Sequence, residues 1–435
     1  MKSLRFVLRN FAKVAEADVE LRGISVIVGP NNSGKSTVGK ALYSLNSVFR
    51  NLNERIYQSK LTSIDDLSQE PTYFLPFRLS DGLKSKLISK NFSYEDFWKG
   101  IQNEHSYVFA DKRNGSLNKQ LIDMMESQAK YFYKEVNKII SIKDETYRDA
   151  VIWDYFDKCF HSQVVPVFKK RKGTGSSLDV YGDSRISLLL TSASANVKTI
   201  SIPDSKVCYV NGPTVLNLLN SQCELDALEV YDSELADEMR NAVASKSAGV
   251  VNSRKALNRA RLAKLSNIIS RVVPGQIGKR VKGKLAVSTE SGETISFENL
   301  SSGIKTFVTI WEVLEQGVIS EGDVLILDEP EVRLHPEWQI ICAEFIVLLC
   351  KMFSLRILLT SHSVDFIHAL MLFVKKYKVQ DVVRLYKSSN NDDGSSVVKH
   401  VDDDNWERLF DTFVCPIDIL EKIRAELPAE DPYGK

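Results

Sequence analysis

Apolar residues near the two ends of the chain alternate between the spacing typical of strands and that typical of helices. SLRFVLRNF and ADVELRGISVIVGP predict strands that lead into a glycine-rich loop, and KSTVGKALYSLNSVF predicts the helix that leaves it. Near the C-terminus, DVLILDEP and RILLTSHS predict strands that are each followed by a helix. Strands alternating with helices are typical of a parallel sheet covered on both faces. We therefore predict an α/β fold whose mixed, mainly parallel sheet is assembled from both ends of the chain.

The sequence between these ends divides the chain into a head domain and three further segments. A long polar, aromatic-rich and mainly helical stretch is broken at PTYFLPF and KKRKGTGSS. After it, KVCYVNGP predicts a core strand and GKLAVSTESGETISF predicts a β-hairpin. The predicted segments are a head formed by residues 1–50, 206–232 and 274–400, a helical insertion at 51–205, a basic helical segment at 233–273 and an acidic helical tail at 401–435.

The segment GPNNSGKST fits the G-x-x-x-x-G-K-[ST] pattern and lies between a predicted strand and a predicted helix, as this pattern requires. Its small residues allow backbone N–H groups to surround phosphate oxygens at the start of the helix. Lys35 would neutralise the β- and γ-phosphate charge, and the Ser36 hydroxyl would reach Mg²⁺. The loop predicts a nucleoside triphosphate site formed by Gly29, Pro30, Asn31, Asn32, Ser33, Gly34, Lys35, Ser36 and Thr37.

Two adjacent carboxylates end the predicted strand in VLILDEP. Acids at the carboxyl end of a parallel strand lie where ligands bind in α/β sheets, although a solvated turn would carry the same residues. Asp328 is predicted to hold Mg²⁺ through water, and Glu329 to orient or deprotonate the attacking water. His362 follows the next predicted strand, in LLTSHS, and pairing of the two strands would bring it near the γ-phosphate.

Composition narrows the class of protein. The formal net charge of +1 argues against a protein that coats nucleic acid over its whole surface, but not against a local basic patch. The six cysteines show no metal-site spacing, so we expect reduced thiols in a cytoplasmic protein. The most apolar stretch, IICAEFIVLLC, contains Glu344 and is far shorter than the ~20 residues of a membrane span, so no membrane partner is expected.

The region between Glu238 and Glu290 contains twelve Lys or Arg residues and no acidic residue. A solvated helical face usually mixes the two signs of charge. A run of one sign favours a polyanion or an acidic protein as partner, and nucleic acid bound through Arg254–Lys284 is one interpretation. The segment HVDDDNWERLFD near the C-terminus is acidic, and contiguous acids of this kind usually repel one another and stay solvated.

A second segment with the features of a phosphate-binding loop, ENLSSGIKTF, lies far from the first. Together, LSSGIK, LDEP and TSHS resemble the signature loop, Walker B strand and switch-histidine loop of the ABC-type ATPase superfamily. The resemblance implies two heads that face each other with ATP and Mg²⁺ between them. Ser301, Ser302 and Gly303 would then contact the γ-phosphate held by the partner's Gly29–Ser36 loop. A simpler alternative is an ordinary helix start capped by Ser302, because capping and anion binding use the same free N–H groups.

Within that superfamily, the chain is most similar to SMC-like and OLD-like heads, which are RecF-like in the wider sense. FVLRNFAKVAEADVEL and DEPEVRLHP carry this resemblance, which covers residues 2–45, 208–213 and 297–370 and leaves the middle of the chain uncovered. The glutamine of the superfamily's Q-loop has no counterpart that we can assign.

The resemblance implies an ATPase that forms a homodimer or higher oligomer and controls an effector protein, a nuclease or toxin encoded nearby, in bacterial anti-phage defence (Septu- or PARIS-like). A RecF-like DNA-repair ATPase and an OLD-like nuclease component are alternatives. The sequence after His362 is too short for a Toprim nuclease domain. The ATP-binding subunit of a transporter is disfavoured by the long separation of Lys35 from Gly303 and by the missing glutamine after the signature glycine.

Overall fold

The computed structural model of the chain contains two compact units. The smaller unit is Arg50–Tyr155, and the larger unit combines the residues before this segment with those after it. The structure describes residues 3–70, 78–89, 91–106, 109, 115–166, 175–182, 185–201, 204–212, 215–216, 229–247, 253–273, 275–281, 284–289 and 291–401 of the 435.

A mixed sheet, with eleven strands in the described residues, runs through the larger unit. In chain order the described strands are β1 (Leu4–Phe11), β2 (Val14–Leu21), β3 (Ile24–Val28), β4 (Ser176–Tyr181), β5 (Arg185–Leu190), β6 (Ala195–Ile200), β7 (Val207–Val210), β8 (Gln276–Val281), β9 (Lys284–Ser288), β10 (Thr294–Ser296), β11 (Val324–Asp328), β12 (Arg356–Ser361), β13 (Val383–Asn390) and β14 (Ser396–Val401). The large sheet has the order β6-β5-β4-β1-β2-β14-β13-β3-β12-β11-β7, and β8, β9 and β10 form a separate sheet that contains the predicted hairpin.

Parallel pairing is concentrated in one block of the sheet, β7-β11-β12-β3-β13. Strands β3, β11 and β12 are buried along their whole length, as expected for strands covered on both faces. Because β12 pairs with both β3 and β11, Asp328 lies opposite Thr360 and Val28 lies opposite Ser361. The carboxyl ends of the three strands therefore form one edge. The predicted α/β fold with a mixed sheet is confirmed.

The helices follow the alternation that the sequence predicts at both chain ends. Phe307, Phe345 and Phe366, from three different helices, join the central strands in one apolar core. In chain order the described helices are α1 (Lys35–Arg50), α2 (Leu52–Gln69), α3 (Asp81–Leu87), α4 (Tyr94–Glu104), α5 (Gly115–Ile140), α6 (Asp144–Cys159), α7 (Val230–Ser247), α8 (Ser253–Ala263), α9 (Ser266–Ile269), α10 (Ser302–Glu315), α11 (Pro336–Phe353) and α12 (Val364–Tyr377).

The smaller unit is helical and has an apolar core of its own. Ile64 of α2, Phe97 of α4 and Phe132 of α5 are fully buried in it. The rings of Phe97 and Phe132 stack with their centroids 6.1 Å apart. Ser80 and Ser93 are the N-caps of α3 and α4, and their side chains accept hydrogen bonds from N–H groups of the first turn. The helices of this unit lie within the predicted insertion of residues 51–205.

The helical unit is shorter than the predicted insertion of residues 51–205. Strands β4, β5 and β6 lie inside that range but extend the sheet of the larger unit, because β4 pairs with β1 in antiparallel register. The sequence pattern does not predict these three strands, because they are short and follow the polar KKRKGTGSS segment. The basic segment 233–273 divides into α7, α8 and α9. The predicted acidic tail lies outside the described residues, apart from Val401 at the end of β14.

The sequence also predicts reduced cysteines and no membrane-spanning helix. Cys208, Cys342 and Cys350 are free and, like Cys159, buried, while Cys223 and Cys415 lie outside the described residues. None of the described helices is both long enough and apolar enough to cross a membrane.

One carboxylate ties three helical segments of the larger unit together. Glu344 of α11 is buried and lies 3.0 Å from the Arg271 guanidinium, which follows α9. On α12, the Lys376 ammonium lies 3.0 Å away and the Tyr377 hydroxyl donates to the same carboxylate. Burial raises the pKa of Glu344, but the hydrogen bonds from Tyr377 and Lys376 outweigh burial and leave this pKa below its ordinary value.

Replacing Glu344 by Gln is expected to lower the free energy of unfolding by about 1–3 kcal/mol at pH 7, since charged hydrogen bonds are lost. A lowered folded-state pKa stabilises the fold above the unfolded pKa of about 4.3, and the stabilisation disappears as pH falls through the folded value. The stability difference between wild type and Glu344→Gln should therefore shrink below about pH 4. Urea unfolding at several pH values measures it. Glu337→Gln, exposed on the same helix, is the control, and a pH-independent difference would contradict the prediction.

Candidate nucleotide-binding site

The glycine-rich loop connects β3 to α1, as the sequence predicts. Gly34 has a φ of +83°, and a Cβ there would lie 2.5 Å from the Ser396 hydroxyl and 2.9 Å from Val14. A Cβ on Gly29 would collide with the Ser388 carbonyl. Glycine is therefore required at both positions, because the loop passes directly over β2, β13 and β14.

The Lys35 side chain is buried at the start of α1, with only 4% of its surface exposed. Its ammonium donates to the carbonyls of Gly29 and Pro30, each at 3.0 Å. It also lies 3.3 Å from Oε1 of Glu329. A buried ammonium without a counterion would be costly. The Glu329 carboxylate is therefore the counterion of Lys35, the residue predicted to bind phosphate.

Three hydroxyls converge on the Asp328 carboxylate. Ser36 donates to Oδ1 at 2.9 Å, and Thr360 donates to the same oxygen from the neighbouring strand. Tyr209 donates to Oδ2 at 2.6 Å from β7, on the other side of β11. Burial, and secondly the Asp328 charge, raise the pKa of Tyr209 well above its ordinary value, so its hydroxyl remains a donor.

The Ser36 and Asp328 pair fits a magnesium ion. A hydroxyl and a carboxylate oxygen already lie within hydrogen-bonding distance of each other, and Mg²⁺ prefers one or two such oxygen ligands together with water and phosphate. In the described part of the chain, no group of three or more His, Cys, Asp or Glu side chains is arranged to hold a metal ion by itself.

Glu329 has a backbone conformation that is unfavourable for a residue with a side chain, with a φ of +48°. Its N–H donates to the carbonyl of Thr360 at 3.2 Å and to the Thr360 hydroxyl at 3.0 Å, and these bonds hold the conformation. Oε1 of Glu329 lies 3.2 Å from Nδ1 of His362, although the pair lacks hydrogen-bond geometry. His362 therefore lies beside Glu329, and the proposed base has a strained backbone conformation.

Glu331 holds the segment that carries His362, a role that its sequence motif does not predict. Its side chain is buried, and Oε1 accepts hydrogen bonds from the Ser361 hydroxyl at 2.5 Å and from the His362 N–H at 3.3 Å. Burial raises the pKa of Glu331. The contacts connect the chain after Glu329 to the backbone that carries His362.

A cavity of about 580 Å³ opens over the glycine-rich loop. Residues 32–37, Lys40 and Glu329 line it together with residues that the sequence analysis missed, namely Ala12, Lys13, Cys159, Phe160, His161 and Gln163. The Lys13 ammonium donates to the Asn32 carbonyl, and the Phe160 ring packs edge-on against Phe11 at 4.7 Å. No motif marks these residues, because the segment at 159–163 reaches the loop only through the fold.

Ser301, Ser302 and Gly303 do not line this cavity. Ser301 is the N-cap of α10, where its hydroxyl accepts from the Ile304 N–H at 3.4 Å, so Ser302 is not the cap. Ser301 and Ser302 are exposed. Gly303 is buried, and a Cβ there would lie 3.1 Å from Leu334 and 3.2 Å from Trp338. The structure thus brings together the loop residues, Asp328, Glu329 and His362, and leaves the second loop apart from them.

The basic run has acidic neighbours within the fold. Arg259 pairs with Glu315 of α10 at 3.2 Å, and Arg261 pairs with Glu321 at 2.7 Å. Arg271 pairs with Glu344, as described above. The run itself contains no acidic residue, but a later part of the chain supplies carboxylates that pair with these three guanidiniums.

The amino-acid sequence matches the family model described as AAA ATPase domain over residues 1–367. The chain belongs to the AAA ATPase domain family. Membership supports ATP binding and ATPase activity in general terms, in agreement with the geometry of the glycine-rich loop of this AAA ATPase domain. A comparison with curated proteins finds no match.

Solved structures similar to this AAA ATPase domain include SMC heads. The SMC head domain from Thermotoga maritima is 12% identical with a TM-score of 0.37, and the match covers 92% of this chain and 100% of that one. An SMC head bound to the C-terminal winged-helix domain of ScpA is 10% identical, with a TM-score of 0.44 and coverage of 91% and 96%. A Pyrococcus furiosus SMC head bound to the C-terminal domain of ScpA is 10% identical, with a TM-score of 0.43 and coverage of 98% and 100%.

Replacing Glu329 by Gln is expected to slow ATP hydrolysis about 100- to 10,000-fold, because the amide cannot accept a proton from water. ATP affinity should be retained or improved, since Lys35 loses the carboxylate that competes with phosphate. Single-turnover hydrolysis and equilibrium binding measure the two quantities, with the exposed Glu337→Gln as control. Unchanged turnover would assign the base to another residue, with His362 the next candidate.

Proposed function

We propose that the protein binds ATP with Mg²⁺ at Gly29–Thr37 and hydrolyses it between two copies of the chain. The observation that carries this proposal is the meeting of Lys35, Glu329 and His362, next to the Ser36–Asp328 pair, at one edge of the sheet. These are the parts that phosphoryl transfer to water requires: a cation for the transferred phosphate, oxygen ligands for the metal and a carboxylate base.

Each side chain has a defined part in this reaction. Lys35 binds the β- and γ-phosphate oxygens, and this contact releases Glu329 from its role as counterion. The released Glu329 carboxylate accepts a proton from the attacking water. His362 contacts the γ-phosphate region next to Glu329. Ser36 and Asp328 would hold Mg²⁺, which supplies neutralisation of the charge that develops on the phosphate oxygens.

The proposed second half of the site is the start of α10 from a partner copy. Ser301 and Ser302 are exposed, and the first turn of α10 carries no acidic residue, so the positive end of its helix dipole is not neutralised there. Packing of Gly303 against Leu334 and Trp338 fixes the loop on the surface. Because these residues do not line the cavity of their own chain, a phosphate held by a second copy is the ligand we propose.

The cellular role that we propose rests on the resemblance to OLD-like and SMC-like heads. ATP-driven closure of two heads would control an effector protein, a nuclease or toxin encoded nearby, in bacterial anti-phage defence. A RecF-like role in DNA repair, or a role as an OLD-like nuclease component, remains the alternative. Nucleic acid bound through Arg254–Lys284 stays a prediction, and the ion pairs of Arg259, Arg261 and Arg271 reduce the positive charge available for it. Co-purification with the products of adjacent genes tests the effector.

The two-chain site is tested by mixing Lys35→Ala with Ser301→Arg, each expected to be inactive alone. A mixed dimer has one site with both changes and one site with neither. Random exchange makes half of the dimers mixed, so activity should return to about a quarter of that of wild type if the sites are independent. Ser291→Arg, exposed in the turn between β9 and β10, is the control and should stay active.

Binding measurements on the separate variants complete this test. Lys35→Ala should lose ATP binding because the phosphate charge loses its main cation. Ser301→Arg should still bind ATP but fail to dimerise with it. If two occupied sites are needed for hydrolysis, mixing restores no activity and the dimerisation defect remains the evidence. Loss of ATP binding by Ser301→Arg monomers, with no rescue on mixing, would contradict the two-chain site.

A further inference from the structure

Tyr209 makes a contact with the candidate metal site that neither the sequence motifs nor the family match assigns. Its side chain is fully buried, and its hydroxyl donates to Oδ2 of Asp328 at 2.6 Å. We propose that Tyr209 is a positioning residue that fixes the Asp328 carboxylate for magnesium. The inference rests on the proposed function, because it concerns the same nucleotide site.

The two oxygens of Asp328 have different partners. Oδ1 accepts from Ser36 and Thr360, and Ser36 is itself the second predicted magnesium ligand. Among the described residues, Tyr209 is the donor to Oδ2. Removing this hydroxyl frees rotation of the carboxylate about its terminal bond and leaves Oδ2 without a donor in a buried setting. Outer hydrogen bonds of this kind orient metal ligands, and their loss typically costs about 10- to 100-fold in metal affinity or activity.

Packing holds the Tyr209 ring in one place. Tyr209 lies opposite Ile326 in the pairing of β7 with β11, two residues before Asp328. The Tyr231 ring, from the start of α7, contacts it edge-on at 4.7 Å. On α1, a Cβ at Gly39 would lie 3.3 Å from the Tyr209 ring and 3.0 Å from Ile326. The glycine three residues after Ser36 therefore leaves the space that the tyrosine fills.

The chain offers a matched control for removal of this hydroxyl. Tyr386 of β13 is also buried, and its hydroxyl accepts a hydrogen bond from the Glu20 N–H at 2.8 Å, away from the nucleotide site. Tyr209→Phe and Tyr386→Phe each remove one buried hydroxyl and keep the ring. A purely structural contribution should therefore lower the melting temperature of the two variants by similar amounts and leave magnesium dependence unchanged.

The test is equilibrium binding of a fluorescent ATP analogue in EDTA and at increasing Mg²⁺ concentration. Tyr209→Phe should bind like wild type in EDTA, whereas its Mg²⁺ midpoint should rise about 10- to 100-fold. Gly39→Ala, which pushes on the ring, should shift the midpoint in the same direction, and Tyr386→Phe should match wild type in both conditions. Hydrolysis at saturating ATP should show the same rise in Mg²⁺ requirement.

Three outcomes would overturn the inference. A Tyr209→Phe midpoint equal to that of wild type would show that Ser36 and Thr360 suffice to hold Asp328. An equal loss of affinity in EDTA and in Mg²⁺ would make Tyr209 a general packing residue of the site. If wild type binds no nucleotide in either condition, the proposed function itself fails and the role of Tyr209 fails with it.

Discussion

Parallel pairing of β12 with both β3 and β11 is the constraint on which the candidate site depends. It places the carboxyl ends of three strands from distant parts of the chain side by side, so that the glycine-rich loop, the two acids and His362 share one edge. Two hydrogen bonds cross directly between β12 and β11, because the Thr360 hydroxyl donates to Asp328 and accepts from the N–H of Glu329. A shift of one residue in this register would turn every side chain to the opposite face and separate these groups.

Each buried charge of the candidate site is compensated by a counterion or by hydrogen bonds, which offset the free-energy cost of burying it. Lys35 is neutralised by Glu329, and the Asp328 carboxylate is satisfied by three hydroxyls. Lys35 is also the predicted partner of phosphate, and Ser36 and Asp328 are the predicted partners of magnesium. These side chains hold one another in place through their own contacts, and the strained backbone of Glu329 is held by the neighbouring strand β12. Preorganised charge of this kind is what makes catalysis by electrostatic stabilisation effective.

The same principle acts at the surface of the larger unit. A region that carries one sign of charge in the sequence meets carboxylates from α10, α11 and the loop before β11. A run of one charge sign in the sequence therefore overstates the positive charge that the folded surface would present to a partner. The fold uses these cations to hold α8 and the segment after α9 against the helices that cover the sheet.

The sequence by itself determined the α/β class, the glycine-rich loop and the two acids at the end of β11. These features depend on the spacing of neighbouring residues, on continuous apolar strands and on glycine where no side chain fits. The tertiary structure alone decided that β4, β5 and β6 extend the large sheet, and that Tyr209, Glu331 and the four cavity residues Cys159, Phe160, His161 and Gln163 lie at the candidate site. Tyr209 and Asp328 are 119 positions apart, and no local pattern records which strand will pair beside another. Such contacts depend on the register of non-local strands, which is fixed only when the whole core packs.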